Sequence, residues 1–498
     1  MEVRNKRLTD KEFFKEREEV LAEWPTGKDV SLEDGIAYQK SMPDSKNYVK
    51  RLTEVRRQGN YTFCSMMGVS PIEKDIEFAR YLQEVGKTDF HSTVIDSLTR
   101  NHFFAKAESE LKESERTGRS LLNGLPLAYY GVAGARKKVE ALDLPVMIWA
   151  PATDMRLVDE IGLAGGHTGI GECGSLAAFF HYTQDLPLEA VVRNFQYIYR
   201  LEAYYEEHGV PIQHRAEGAL SCITPPSLII APQIIEHLIA AEQGVKNIQF
   251  CTWGSQGSLS QAVATAVTLR KMGREYLEKF GYRDINTTLM TGYATNISFP
   301  QDYGQAYAVV AMAPILTLFS DADICYITTV DEAHRIPTKE NNATSLTCAR
   351  MMVNLLNQQK IDFLNMKPVQ FEIAMLEKEV KAILDRVIDL GDGDIIRGAS
   401  RAIDAGVLDE PFSTNARVAR KAIGVRDAEG IIRYFTTGNL PFSKEIIEFH
   451  RERVADRERK QNIKVDYDTV VGDVMAISKG TLVLPPDWQE KELGMVAR

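Results

Sequence analysis

Residues 144–174 read LPVMIWAPATDMRLVDEIGLAGGHTGIGECG. The apolar run 144–150 predicts a strand, residues 154–163 carry apolar side chains at helical spacing, and His167 to Gly171 offers a second short strand before a glycine-rich turn. This is one strand–helix unit with the next strand behind it. A chain that repeats the unit builds a mainly parallel sheet. Working outward, strands are expected near 61–66, 90–98, 211–216, 247–253, 285–291 and 322–329. Helical segments separate most of them, at 72–86, 100–116, 174–208, 229–245, 256–281, 302–319 and 340–359. With 144–150 these are seven strands, and the eighth at 167–171 completes an α/β fold, a closed (β/α)8 TIM-type barrel over 59–360. A doubly wound open sheet is the other topology the periodicity allows. Residues 1–58 then form an N-terminal helical extension, and 361–498 a C-terminal one that packs on the barrel or builds a subunit interface.

The 498 residues would divide into three domains of ~150, but one barrel of ~250 residues with extensions is equally allowed. Lys plus Arg number 59 against 69 Asp plus Glu, a formal charge of -10, so a polyphosphate backbone or an anionic membrane surface is disfavoured as partner. The first 20 residues are charged and lack the apolar core of a secretory leader, and no apolar run reaches the ~20 residues of a membrane helix. Six dispersed cysteines with no CxxC read as reduced thiols, so a cytoplasmic location is expected. The nine histidines form no HxxxH or HExxH pair, so no metal site built from sequence-local ligands is expected.

In a barrel, chemistry belongs where strands end and the following loops begin. Those positions include Met66 to Ser70, Thr99 to Arg100, Trp149 to Thr153, Gly165 to Gly174, His214 to Gly218, Trp253 to Gly257, Gly292 to Asn296 and Thr328 to Arg335. Arg100 and Arg215 at two of these ends suit bidentate capture of a carboxylate, or else make surface ion pairs. Glu172 and Glu332 stand at the same rim, and His167, His181 and His214 lie near strand ends as acid, base or hydrogen-bonding groups. Gly169, Gly171 and Gly174 have GxGxxG spacing, but His167 and two glycines before them make a poor strand for a dinucleotide fingerprint. Tight turns, or backbone left open to a large planar ligand, account for these glycines better.

Longer stretches carry a family resemblance: WPTGKDV (24–30), ESERTGRSLLNGLP (113–126), AAEQGVKNI (240–248), FPQD (299–302), IPTKE (336–340), VRDAEG (425–430) and NLPFSKEI (439–446). Over nearly its whole length the chain resembles the E (epsilon) subunit family of glutamate mutase, also called methylaspartate mutase. The resemblance implies a barrel that binds adenosylcobalamin against a small cobalamin-binding subunit, whose DxHxxG histidine ligates cobalt. It also implies a homodimer of barrels in a heterotetramer, and a radical 1,2-rearrangement of an amino acid. No DxHxxG occurs in this chain, so it would need that partner.

Carried over residue by residue, the family's three carboxylate-binding arginines fall on Arg100, which is kept, and on Met66 and Trp149, which are not. A neighbouring histidine falls on Ala150, and two site tyrosines fall on Ala177 and His181. The glutamate that holds the substrate amino group falls on Gly171, with Glu172 one residue away. Near the adenosyl group, the family's lysine falls on Thr328 and its glutamate on Glu332. Each lost charge-assisted hydrogen bond costs about 1.5 to 3 kcal/mol, so two missing arginines would cost roughly 3 to 6 kcal/mol of glutamate binding.

The expectation is a mutase with a remodelled pocket, in which Arg100 holds a carboxylate, Met66, Trp149 and Ala150 receive a less anionic side group, and Arg215 compensates. Glu172 and His181 are its expected catalytic groups, and Glu332, Thr328 and Gly171 its cofactor-side positions. Retained glutamate mutase activity, and a non-catalytic barrel serving as scaffold or regulatory partner, are the alternatives.

Overall fold

The computed structural model describes residues 3–219, 222–254, 256–293, 297–332 and 334–485. The expected rim stretches around 255, 294–296 and 333, and the end of the C-terminal extension, lie outside the described residues. Eight strands close a parallel barrel in sequence order: β1 (Thr62–Met67), β2 (Phe90–Val94), β3 (Val146–Trp149), β4 (Gly169–Gly171), β5 (Gln213–Arg215), β6 (Asn247–Thr252), β7 (Asn286–Thr291) and β8 (Ile324–Tyr326). Closure, with β1 paired to both β2 and β8, excludes the open doubly wound sheet.

Side chains alternate across each strand, so every strand feeds two cores. Cys64, Met147, Trp149, Cys251, Trp253, Met290, Ile324 and Tyr326 pack together inside the barrel, with Met66 and Val94 against them. The intervening Ile148, Ile170, Ile248, Phe250 and Leu289 face outward into the layer shared with the helices.

Three element boundaries differ from expectation for identifiable reasons. The strand expected over 90–98 stops at Val94, because the Asp96 carboxylate accepts from the Leu98 and Thr99 amides and starts the short helix Ser97–Arg100. The helix expected over 174–208 is two, Ser175–His181 and Leu188–Glu207, with Pro187 capping the second. A helix not expected, Leu127–Glu140, fills the connection to β3, and Gly131 lies in it at φ +60.

Helices Asp10–Ala22, Leu32–Ser41 and Tyr48–Arg57 precede the barrel, and Tyr48 plugs its N-terminal end. The Tyr48 ring stacks on Phe90 with centroids 4.0 Å apart, and its hydroxyl donates to Gln249 Oε1 at 3.2 Å. Beyond the barrel, the helix Lys367–Gly391 packs on the barrel's outer helices, where Ser227 donates to Glu379 at 2.6 Å. An antiparallel pair, β9 (Ala422–Arg426) and β10 (Ile432–Thr437), is fastened to the barrel helix Leu259–Lys279 through the Gln261 amide, which bonds both the N–H and the C=O of Ile432. No described helix is long and apolar enough to cross a membrane.

Candidate active site

The register of three neighbouring strands decides what the mouth contains. Trp149 of β3 pairs with Gly171 of β4, and Gly171 pairs with Arg215 of β5, so the three lie side by side in one row. The central position carries no side chain. A Cβ on Gly171 would stand 2.7 Å from Met147 Cε and 2.9 Å from Arg215 Nη2, so the Arg215 guanidinium occupies the space a side chain there would need. Arg215 crosses β4, donates from Nη2 to the Gly171 carbonyl at 2.8 Å, and lies on Trp149 with its guanidinium carbon 3.3 Å from the ring centroid. A desolvated cation–π contact of this kind contributes about 2 kcal/mol. Arg215 is 1% exposed, and its Nε and Nη1 have no hydrogen-bond acceptor among the described residues.

Glu217, which sequence reasoning did not single out, faces this cation. Its Oε1 lies 3.4 Å from Arg215 Nη2, and it is 6% exposed. Burial pushes its carboxyl up to about 6, opposed by the Arg215 charge and by a hydrogen bond from the Trp253 indole. Its backbone N–H donates to the Cys173 carbonyl at 3.0 Å, which ties the loop after β4 to the loop after β5. Aromatic rings wall this region: Trp149 stacks on Tyr326 at 5.1 Å, and Trp253 meets Tyr326 edge-on at 5.1 Å and Trp149 at 5.6 Å. The sequence signal for Glu217 was its place two residues beyond Arg215, on the same face and within the stretch 214–218 already assigned to a strand end.

Arg100 ends its short helix and donates from Nη1 to the Pro151 carbonyl at 3.0 Å, just past β3, while its Nε has no acceptor. Tyr182 stands among Arg100, Cys173 and Glu217: burial raises its phenol, the thiol and carboxylate reinforce that, and Arg100 opposes it. Met66 is partly buried against the lumen cluster.

Other expected residues lie elsewhere. Ala150 is fully buried in the outward core with Ile148 and Ile170, not in the lumen. Glu172 follows Gly171, so alternation turns it to the helix side beside Asp159; burial, then the Asp159 charge, raises the Glu172 carboxyl, while burial and the Glu202 charge raise Asp159 and its hydrogen bond with Glu172 opposes that. His214 likewise faces outward and meets Glu202 at 3.2 Å. His167 precedes β4, at the opposite end of the barrel from the mouth, and burial pulls its imidazole down to about 3. The expected rim stretch Gly165 to Gly174 is therefore divided by β4 between the two ends. His181 closes the helix Ser175–His181 edge-on to Phe180, and burial holds it at about 4, so it is neutral at pH 7.

Just past β8, Thr328 is 5% exposed and its hydroxyl lacks a hydrogen-bond partner among the described residues. Burial pushes Glu332 up to about 7, and this carboxyl is near enough to raise the Tyr326 phenol. Thr328 and Glu332 both follow β8, and a buried hydroxyl and a partly protonated carboxyl suit a neutral, hydroxyl-rich group better than an anion.

A profile of the methylaspartate mutase E chain family matches residues 42–486. Among curated proteins, the chain is 37% identical to the glutamate mutase epsilon subunit of Desulfitobacterium hafniense over 98% of this chain and 100% of that one. It is 37% identical to that of Escherichia coli O157:H7, with the same two coverages. The epsilon subunit of Treponema denticola is 36% identical over 98% of this chain and 99% of its own.

Proposed function

The chain belongs to the methylaspartate mutase E chain family, a family of isomerases, and from that membership we propose that it is the barrel subunit of an adenosylcobalamin-dependent carbon-skeleton mutase acting on an amino acid other than glutamate. Its partner in this reading is a small DxHxxG subunit that carries the cobalamin, and the complex works in the cytoplasm as a heterotetramer built on a homodimer of barrels. The residues present fit the adenosyl group: the unpartnered Thr328 hydroxyl and the neutral-leaning Glu332 would hold its ribose hydroxyls. When bound, the cofactor supplies a carbon radical that initiates the rearrangement.

The chain's own residues bind, orient and keep the site dry. Arg100 holds a substrate carboxylate with its unpartnered Nε edge. Arg215 offers the second set of donors, fixed in place by Trp149 before substrate arrives. Trp149, Trp253, Tyr326 and Met66 exclude water and set the size of the migrating side group. Ala150 acts from behind β3 and Glu172 from the helix side, shaping the loops rather than touching substrate, and His181, neutral at pH 7, is an acid–base candidate at the end of the helix that follows β4.

The observation that carries the altered substrate is the Trp149, Gly171, Arg215 row, in which the residue types implied for glutamate at 149 and 171 are both replaced and their space is refilled. The test is electron paramagnetic resonance of the chain reconstituted with a cobalamin-bearing small subunit and adenosylcobalamin, on adding single L-amino acids. The expected result is a cob(II)alamin–organic radical pair with a neutral amino acid and a weaker one, or none, with L-glutamate. A signal strongest with L-glutamate would support retained glutamate mutase activity. No signal with any amino acid, beside an active glutamate mutase control, would leave the scaffold reading.

A further inference from the structure

We infer that Glu217 is the residue that receives the substrate's ammonium group, paired with Arg215 so that the two side chains read the charged head of an α-amino acid. This inference rests on the amino-acid mutase reading and supplies the carboxylate that reading otherwise lacks.

The site must contain a carboxylate if an ammonium is to be desolvated there, because a buried cation without a counter-charge is strongly unfavourable. Position 171 cannot provide it, since a Cβ there meets Met147, Arg215 and the Ile148 carbonyl at 2.9 Å or less. Glu172 cannot provide it from the helix side of the wall, where it is engaged with Asp159. Glu332 follows β8 beside Tyr326 and has burial alone acting on its carboxyl, with no described cation beside it to share an amino-acid head group, whereas Glu217 meets Arg215. Glu217 follows β5 on the face of Arg215, is buried, and touches the residues that line the lumen.

Its bonding leaves room for a ligand. The Arg215 contact at 3.4 Å is long for a charge-assisted hydrogen bond, and the Trp253 indole supplies one donor. A carboxylate accepts at about four lone-pair positions, so among the described residues at least two remain for an ammonium. Arg215 in turn keeps Nε and Nη1 without acceptors. A guanidinium and a carboxylate held side by side match the carboxylate and ammonium that an α-amino acid carries on one carbon. In effect, the anionic group has moved from β4 to the loop after β5, and glycine at 171 is what lets Arg215 accompany it.

Isothermal titration of the full-length chain, without cofactor, tests this. The probes are L-glutamate, L-leucine, L-isoleucine and L-phenylalanine, each beside the carboxylic acid that lacks its amino group. The wild-type chain is expected to prefer an amino acid over its des-amino partner. Glu217→Gln is expected to weaken amino-acid binding by about 10- to 100-fold, the loss of one charge-assisted hydrogen bond, while changing des-amino binding by less than about 3-fold. Equal loss for both ligand types, or no loss for either, overturns the assignment and leaves the mutase reading standing. Should the variant not fold, the wild-type comparison still decides, because equal affinity for amino and des-amino ligands overturns the assignment. Binding without radical formation in the reconstituted complex sinks the mutase reading alone, and failure of every probe to bind overturns the inference.

Discussion

Glu217 titrates where its role can be read directly. Burial lifts its carboxyl to about 6, so the ionised form that accepts an ammonium dominates above that pH and disappears below it. Affinity for an amino acid is therefore expected to fall by up to about tenfold per pH unit below 6 and to level off above 7, as the fraction of carboxylate does. The groups facing Glu217 do not confuse the profile. Burial pushes Cys173, Cys251, Tyr182 and Tyr326 upward, so they stay neutral across pH 5 to 8. Glu332, at about 7, titrates nearby but faces Tyr326. Titration calorimetry from pH 5 to 8 separates the two carboxyls: the step near 6 should vanish in Glu217→Gln, and its persistence would assign it to another group. Arg215 was named from its place at a strand end, whereas its contact with Trp149 was hidden. That contact depends on a residue 66 positions away and on a glycine between them, neither of which a linear pattern relates to it.

At the scale of elements, the site depends on where short strands stop. β4 has three residues, and its alternation sends Gly171 inward and Glu172 outward. The one-residue choice between them was open in the sequence, because a strand of three residues flanked by glycines has no pattern from which to read its faces. The barrel itself was legible because β1, β3, β6 and β7 are short segments rich in apolar or β-branched residues, and each helix between them has a buried stripe. The helix Leu127–Glu140 was not, since Gly131 and Gly134 interrupt its spacing. Likewise, the extended reading of 90–98 missed the Asp96 cap, which turns the chain and brings Arg100 over Pro151. Asp96→Ala removes the acceptor for the Leu98 and Thr99 amides, at 2.9 and 3.0 Å. The expected cost is about 1 kcal/mol of stability, typical of a lost helix cap. Because the guanidinium loses its anchor on the same turn, carboxylate affinity should fall while the circular dichroism spectrum is unchanged. An unaltered affinity for the des-amino acids would show that Arg100 does not hold the carboxylate.

Over the whole molecule, the two ends of the barrel have separate tasks, and the N-terminal extension makes that separation measurable. Tyr48, fully buried, stacks on Phe90 at the start of β2 and bonds Gln249 of β6, while its backbone N–H donates to Thr168 just before β4. The adjacent Asn47 amide donates to the Pro211 carbonyl just before β5. The extension thus holds the N-terminal ends of β2, β4, β5 and β6, and leaves Arg215, Glu217 and Arg100 at the other end. Tyr48→Ala would empty a ring-sized space and leave Gln249 short of a donor, so a loss of about 3 to 5 kcal/mol is expected, read from urea denaturation. Tyr48 shares the lumen cluster with Trp149 and Trp253 and feels the Arg215 charge, so Tyr48→Ala combined with Glu217→Gln is expected to depart from the sum of the single effects by about 0.5 kcal/mol. A larger coupling would mean that the plug sets the register of β4 and β5, and with it the meeting of Trp149, Gly171 and Arg215. The extension would then be part of the substrate site's specification as well as its support.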